Sequence, residues 1–191
     1  LALTVAVNLS ALQFQAPDFL DKIEAVLQRA TLPRGWLELE LTERMLMDDL
    51  PGALARLHRL REWGVRLSVD DFGTGYSSLA QLKTLPIDTI KIDRSFVTGL
   101  PTERASAAIA HAIIELARGL GLSVVAEGVE TAAQRHWLTE AGCDTLQGLH
   151  VGAPVSAERI TDWLASFAVL PPDPAGAASA AIRAAPRAHR G

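Results

Sequence analysis

Seven polar residues, Asn8, Glu40, Asp70, Asp71, Lys91, Glu127 and Gln147, each lie at the end of a short run rich in apolar side chains. The runs are 4–8, 37–40, 67–71, 89–91, 124–127 and 144–147, and stretches with helical apolar spacing separate them. This rhythm is that of repeated β-α units. In such folds the groups at the C-terminal ends of the strands converge on one rim, where reactions occur. A rim built from these residues is an oxygen-rich metal site with an amine beside it.

The donor set narrows the chemistry. Glu40, Asp70, Asp71, Glu127 and the Asn8 amide offer oxygen, with no His or Cys among them. Hard oxygen ligands favour Mg²⁺ or Mn²⁺ over zinc. A cation of that kind makes water a better nucleophile. Lys91 could stabilise developing phosphorane charge, and Glu127 could serve as base. Metal-assisted phosphodiester hydrolysis is the class that results. The competing reading is a structural network in which Lys91 pairs with Glu38 or Glu40 and no reaction occurs.

The elements that must position these groups follow from the pattern. Strands are expected over 3–8, 36–42, 66–70, 88–92, 123–127 and 144–148. Helices are expected over 17–30, 50–63, 77–85, 102–120, 131–142 and 156–167. Phe19, Ile23, Val26 and Leu27 form one apolar stripe and Leu54, Leu57, Leu60 and Trp63 another. Gly64 sits where a left-handed C-cap is wanted. Thr131 and Gln134 have capping-box spacing. With a helix after every strand, the sheet is expected to be parallel. The fold class is α/β, an incomplete TIM-like (β/α) barrel of about six parallel strands with surrounding helices.

Strand side chains alternate between faces. One face carries Ala6, Asn8, Glu38, Glu40, Ser68, Asp70, Thr89, Lys91, Asp93, Val125, Glu127, Thr145 and Gln147, and is expected to line the barrel interior and its rim. The other carries Val5, Val7, Leu39, Leu41, Leu67, Val69, Ile90, Ile92, Val124, Ala126 and Leu146, and is expected to pack against the helices. Carboxylates at inward positions are costly unless paired or bound to a cation.

Composition excludes some alternatives. The 191 residues suffice for one domain with a substantial core, and the net charge of -4 argues against a general nucleic-acid surface. No run approaches the ~20 apolar residues of a membrane span. Cys143 is the only cysteine, so no intrachain disulfide forms, and it reads as a small buried apolar residue. Residues 1–169 read as the domain, and 170–191 as a disordered Ala/Pro/Arg tail. Asp71-Phe72-Gly73 is also the kinase metal tripeptide, but no kinase phosphate loop or His-Arg-Asp loop accompanies it.

Six blocks occur in order: Val7-Asn8-Leu9-Ser10, Glu40-Leu41-Thr42-Glu43, the segment 70–79 (DDFGTGYSSL), the segment 91–97 (KIDRSFV), the segment 126–131 (AEGVET) and Gln147-Gly148. They resemble the EAL domain family, bacterial phosphodiesterases that open cyclic di-GMP to linear pGpG, and the resemblance runs from about residue 3 to 167. It implies Asn8, Glu40 and Asp70 as metal ligands, Asp71 beside a second metal position, and Lys91 and Glu127 bracketing the attacking water. It implies Gln147 as support, and Asp93 as a further acidic position close to the metal. Glu43 and Glu130 are expected to hold the mobile loop 71–78, where Gly73 and Gly75 supply backbone freedom.

The resemblance also sets expectations beyond the site. The family's name-giving segment, with a glutamate metal ligand and a following arginine, is expected upstream of Leu1, as is a further strand. The parent protein is expected to be longer, cytoplasmic or membrane-attached, with sensor or GGDEF domains upstream, and a homodimer is expected. Turnover by the 191-residue piece alone is expected to be weak. The alternative function is a non-catalytic cyclic di-GMP-binding regulatory module. Residues 147–150 read Gln-Gly-Leu-His where the family usually has an aromatic residue at 149, and His150 reads as solvent-facing.

Overall fold

A computed structural model describes residues 3–75 and 79–167. The elements are β1 (Val5–Asn8), α1 (Ala11–Gln15), α2 (Phe19–Ala30), β2 (Leu37–Thr42), α3 (Glu43–Asp48), α4 (Leu50–Glu62), β3 (Arg66–Phe72), α5 (Leu79–Leu82), β4 (Thr89–Ile92), α6 (Arg94–Thr98), α7 (Arg104–Leu120), β5 (Ser123–Ala126), α8 (Ala132–Ala141), β6 (Thr145–Leu146) and α9 (Ala157–Phe167). The expected tail 170–191 lies outside the described residues. The strands belong to a compact unit that ends at Ala153, and α9 to a second that begins at Pro154. Among the described residues no helix is long and apolar enough to cross a membrane.

The six strands form one sheet in the order β1-β2-β3-β4-β5-β6. Every neighbouring pair is parallel. Helices connect the strands, as parallel pairing requires. The result is the incomplete (β/α) barrel that the repeat predicts. Its helix-facing side is closely packed: Leu41, Leu67, Ile90, Ile92 and Ala126 have no exposure, and Leu39, Val69 and Val124 almost none. Leu57 and Leu60 of α4 are fully buried, and Leu54 and Trp63 pack against the same core. Gly64 ends α4 with φ of 83°, a left-handed conformation that favours glycine.

Four expectations need correction. Val5 and Val7 do not pack under helices; they are 60% and 42% exposed on the edge strand β1. Val26 does not join the buried stripe of α2 and is 42% exposed. The last strand is shorter than 144–148, with only Thr145 and Leu146 in the ladder. Cys143 is half-buried rather than a plain core residue. Its thiol lies 3.3 Å from the Thr145 carbonyl and 3.6 Å from that of Val124.

Three short helices appear where loops were expected. The first, α1, has a capping box: the Ser10 hydroxyl accepts from the Gln13 N–H at 3.3 Å, and the Gln13 side chain accepts from the Ser10 N–H at 3.0 Å. The expected box at Thr131 and Gln134 also forms, and it opens α8. In α6, the Asp93 carboxylate caps the Ser95 N–H at 3.0 Å. The third, α3, begins at Glu43, directly after β2.

Two measurements test this packing. Burial pushes the Cys143 thiol up to about 11, with the Asp144 charge adding to it and backbone hydrogen bonds opposing. Only the thiolate attacks an alkylating reagent, so native Cys143 is expected to react about 100-fold more slowly at pH 8 than in denaturant. Its native rate is expected to rise about tenfold per unit between pH 7 and 9; equal native and denatured rates would refute this burial. The exposed apolar edge makes a second prediction: Val7→Lys reduces concentration-dependent light scattering by this chain, because a charge on an edge strand opposes strand addition.

Candidate active site

Lys91 organises the rim. It points from β4 into the barrel and is 3% exposed. Its ammonium nitrogen lies 2.6 Å from Glu40, 2.6 Å from Glu127 and 3.1 Å from Asp70. An ammonium has three N–H donors, and here it meets three carboxylates, one from β2, one from β3 and one from just beyond β5. Burial alone would lower the lysine. The hydrogen bonds to Glu127 and Glu40 and the charges of Asp70 and Glu127 outweigh it and hold the lysine above its ordinary range. Lys91 is therefore a fixed cation at neutral pH.

Parallel register brings these carboxylates together. Asn8 lies opposite Glu40, and Lys91 opposite Val125, two residues before Glu127. The Glu127 N–H continues the ladder, donating to the Ile92 carbonyl at 3.2 Å. Asn8, Glu40, Asp70 and Glu127 thus share the C-terminal rim of one sheet. Asn8 is exposed there at the edge.

Simple alternation would turn Asp71 away from this rim, and a bulge prevents that. Val69 pairs with Ile90, whereas the next aligned pair is Phe72 with Ile92, so Asp70 and Asp71 together face Lys91. An extra residue in one strand is the definition of a β-bulge, which re-aims side chains. Asp71 makes the turn with φ of 53°. The Asp70 carboxylate accepts from the Asp71 N–H at 3.1 Å and so braces it. Asp70, Asp71 and Glu127 each offer a carboxylate oxygen, all within 4.8 Å of one another.

Burial first, and crowded like charges second, show in the protonation of these carboxylates. Burial raises Glu127, and Asp70 and Glu40 raise it further, against the hydrogen bond from Lys91. Burial also raises Asp71, with the charges of Asp70 and Asp93 adding to it and Lys91 opposing. Burial would raise Asp93 too, but hydrogen bonds from the Ser95 side chain and backbone prevail and hold it below the usual carboxylate range. Such a cluster suits a divalent cation: its donors are hard oxygens, and like charges in reach of one another are relieved by a dication. Lys91 contacts Glu40, Asp70 and Glu127, and Asp70, Asp71 and Glu127 form the tight group of oxygens. Of the three ligands implied by resemblance, Asp70 is in that group.

The remaining residues sit around this centre. Glu43, 3% exposed, accepts from the Gly73 N–H at 3.2 Å. A Cβ on Gly75 would fall 2.5 Å from the Glu43 carboxylate, so the loop passes close against that side chain, which would have to shift to admit one. Gly73 has φ of 96°. Residues 76–78 of that loop lie outside the described residues. Glu130 pairs with Arg94 at 2.7 Å. Gln147 is exposed beyond β6, and its backbone bonds to Ala126 and Val129 hold it at the rim. His150 is exposed. Sequence reasoning missed the bulge, Arg94, and a second use of Gln134, whose amide reaches back to α6 from the side opposite its cap; the capping-box spacing pointed to that residue but not to that contact.

Comparison with known proteins gives this geometry a family. The EAL domain family matches residues 2–154. The chain is 48% identical over 156 residues to the bifunctional diguanylate cyclase/cyclic di-GMP phosphodiesterase MucR of Pseudomonas aeruginosa, covering 82% of this chain and 23% of that protein. It is 46% identical over 162 residues to the signaling protein YkoW of Bacillus subtilis, covering 85% and 20%. It therefore spans about a fifth of the length of these relatives. A solved MucR phosphodiesterase in complex with c-di-GMP superposes with a TM-score of 0.80, covering 82% of this chain and 64% of that one. The EAL domain of Mycobacterium smegmatis DcpA superposes with a TM-score of 0.81 at 38% identity, covering 85% and 73%. A family match over most of the chain, joined to an acidic rim closed around one lysine, leads to one conclusion: the chain belongs to the EAL domain family.

Proposed function

We propose that this chain is the larger part of a metal-dependent phosphodiesterase domain, within residues 1–169, that hydrolyses cyclic di-GMP to pGpG. The observation that carries the reading is the Lys91 ammonium held by Glu40, Asp70 and Glu127, with Asp71 turned toward the same rim. A c-di-GMP complex of the related MucR phosphodiesterase supports the substrate class. Asn8, Glu40 and Asp70 would hold Mg²⁺ or Mn²⁺, with Asp71 beside a second metal position, a choice that follows from oxygen-only donors. When bound, such a cation supplies Lewis-acid charge withdrawal at the phosphodiester.

The chain's own groups divide the remaining work. Glu127, held in place by Lys91 and raised by its surroundings, accepts the proton of the attacking water. Lys91 keeps its charge and stabilises the negative charge that develops on the phosphoryl oxygens. Asp93 and Gln147 bound the site. Glu43 and the glycines at 73 and 75 shape the loop beside Asp71, and Glu130 acts from the neighbouring turn. In the parent protein this domain would lie in the cytoplasm beside sensor or GGDEF domains, and would form a homodimer. The net charge of -4 argues against a general nucleic-acid surface.

The parent protein assayed with cyclic di-GMP and Mn²⁺ tests the reading, and pGpG is the expected product. Glu127→Gln is expected to lower turnover by about 10²-fold or more while nucleotide binding persists. Nucleotide binding without turnover by the wild type would mark a regulatory receptor instead. Lys91→Met is expected to abolish turnover and to destabilise the fold by about 3–5 kcal/mol, because it leaves buried carboxylates unpaired. Urea denaturation measures that loss, and an unchanged midpoint would refute the central role of the lysine. Gly75→Ala is expected to lower kcat through its collision with Glu43, and a wild-type rate would show that the loop need not pass there.

A further inference from the structure

The turn that carries Glu127 is tied to α6 at two points that the proposed chemistry does not use. The first tie is ionic. The Arg94 guanidinium bonds the Glu130 carboxylate at 2.7 Å. On its way there, the Arg94 stem lies over Gly128: a Cβ at that glycine would come within 2.3 Å of the Arg94 Cγ, and its φ is 69°. Gly128 therefore admits both the turn and the arginine above it.

The second tie is a buried amide. Gln134, 5% exposed, accepts from the N–H groups of Glu130 at 2.8 Å and Thr131 at 2.9 Å. Its NH₂ group donates to the carbonyls of Val97 at 3.2 Å and Thr98 at 3.4 Å, at the C-terminal end of α6. Two donors and two acceptors are thereby matched on one side chain, and α6 is held at both of its ends. Backbone bonds at Glu127 and Val129 fix the rest of the turn, to Ile92 and to Gln147.

We propose that Arg94 and Gln134 are positioning residues, which pin the turn 127–131 to α6 so that the Glu127 carboxylate is presented to Lys91 and the acidic rim. The proposal rests on the phosphodiesterase reading for its kinetic arm only. Arg94 touches no reacting atom. It acts through the turn, and a displacement of about 1 Å at a catalytic group is enough to cost up to about 10²-fold in rate. The Arg94 and Glu130 side chains are 64% and 41% exposed, so their removal leaves the core intact.

Amide hydrogen exchange and kinetics on the full chain in its parent protein test this together. Arg94→Ala is expected to speed exchange at 127–131 about tenfold while β2 and α7 stay protected and the melting temperature holds. It is expected to lower kcat about tenfold with KM unchanged. Arg94→Lys restores part of both. Unchanged exchange at 127–131 in Arg94→Ala overturns the strap. Faster exchange with wild-type kcat overturns the positioning role, and failure of Arg94→Lys to slow the exchange again overturns the ionic tie. Gln134→Ala reports the second tie by the same exchange. If the wild type makes no pGpG, the phosphodiesterase reading fails, and the exchange result alone decides whether these residues hold the turn.

Discussion

Everything at the rim depends on the neutralisation of one buried ammonium. Four carboxylates, Glu40, Asp70, Asp71 and Glu127, gather near Lys91, three of them in direct contact. One positive charge cannot balance that many negative ones; burial displaces Glu127 and Asp71 upward, and the neighbouring carboxylates add to that displacement. Contacts with Glu127, Glu40 and Asp70 keep Lys91 protonated, and Asp70, Asp71 and Glu127 form an acidic cluster that could hold a metal ion. The same rule operates one layer deeper in the barrel, where the buried Glu38 pairs with Arg66 at 3.2 Å. Among the described residues, the buried Glu38, Glu40 and Lys91 each have a partner of opposite charge.

The scaffold meets this demand with rigid and adjustable parts. Strands β2, β3 and β4 fix Glu40, Asp70 and Lys91 through ladder register, with a closely packed apolar layer behind them. Glu127 lies just past the end of β5 and takes its orientation from a turn instead. Asp71 depends on a single bulge, and the loop after it depends on the Glu43 carboxylate. Precision therefore falls off with distance from the sheet, and side-chain ties replace ladder bonds where the sheet ends.

Much of this was legible in the sequence because it rests on period two. Alternation in 37–42 and 88–92 assigns Glu40 and Lys91 to one face and Leu39, Leu41, Ile90 and Ile92 to the other; both faces are buried, the polar one through the ion pair of Glu40 with Lys91 and the apolar one in the hydrophobic core. Capping spacing placed the start of α8; the same spacing at Ser10 and Gln13 marks α1 equally well. Other features were not legible. A bulge breaks alternation without a residue signature, since Asp-Asp reads the same in a regular strand. The exposure of Val5 and Val7 depends on what neighbours β1, and no pattern within 4–8 carries that information. The partner of Glu130 is 36 residues away and is chosen by how a turn meets a short helix. Contacts of that kind arise from tertiary packing, which local periodicity does not encode.

The left-handed backbone at Asp71 has an evolutionary corollary. That conformation costs most side chains roughly 1–2 kcal/mol and is visited readily only by glycine, asparagine and aspartate. An exchange of oxygen for nitrogen there would discard one negative charge and leave the chain path as it is. The backbone at this position thus constrains the choice of residue without fixing its charge.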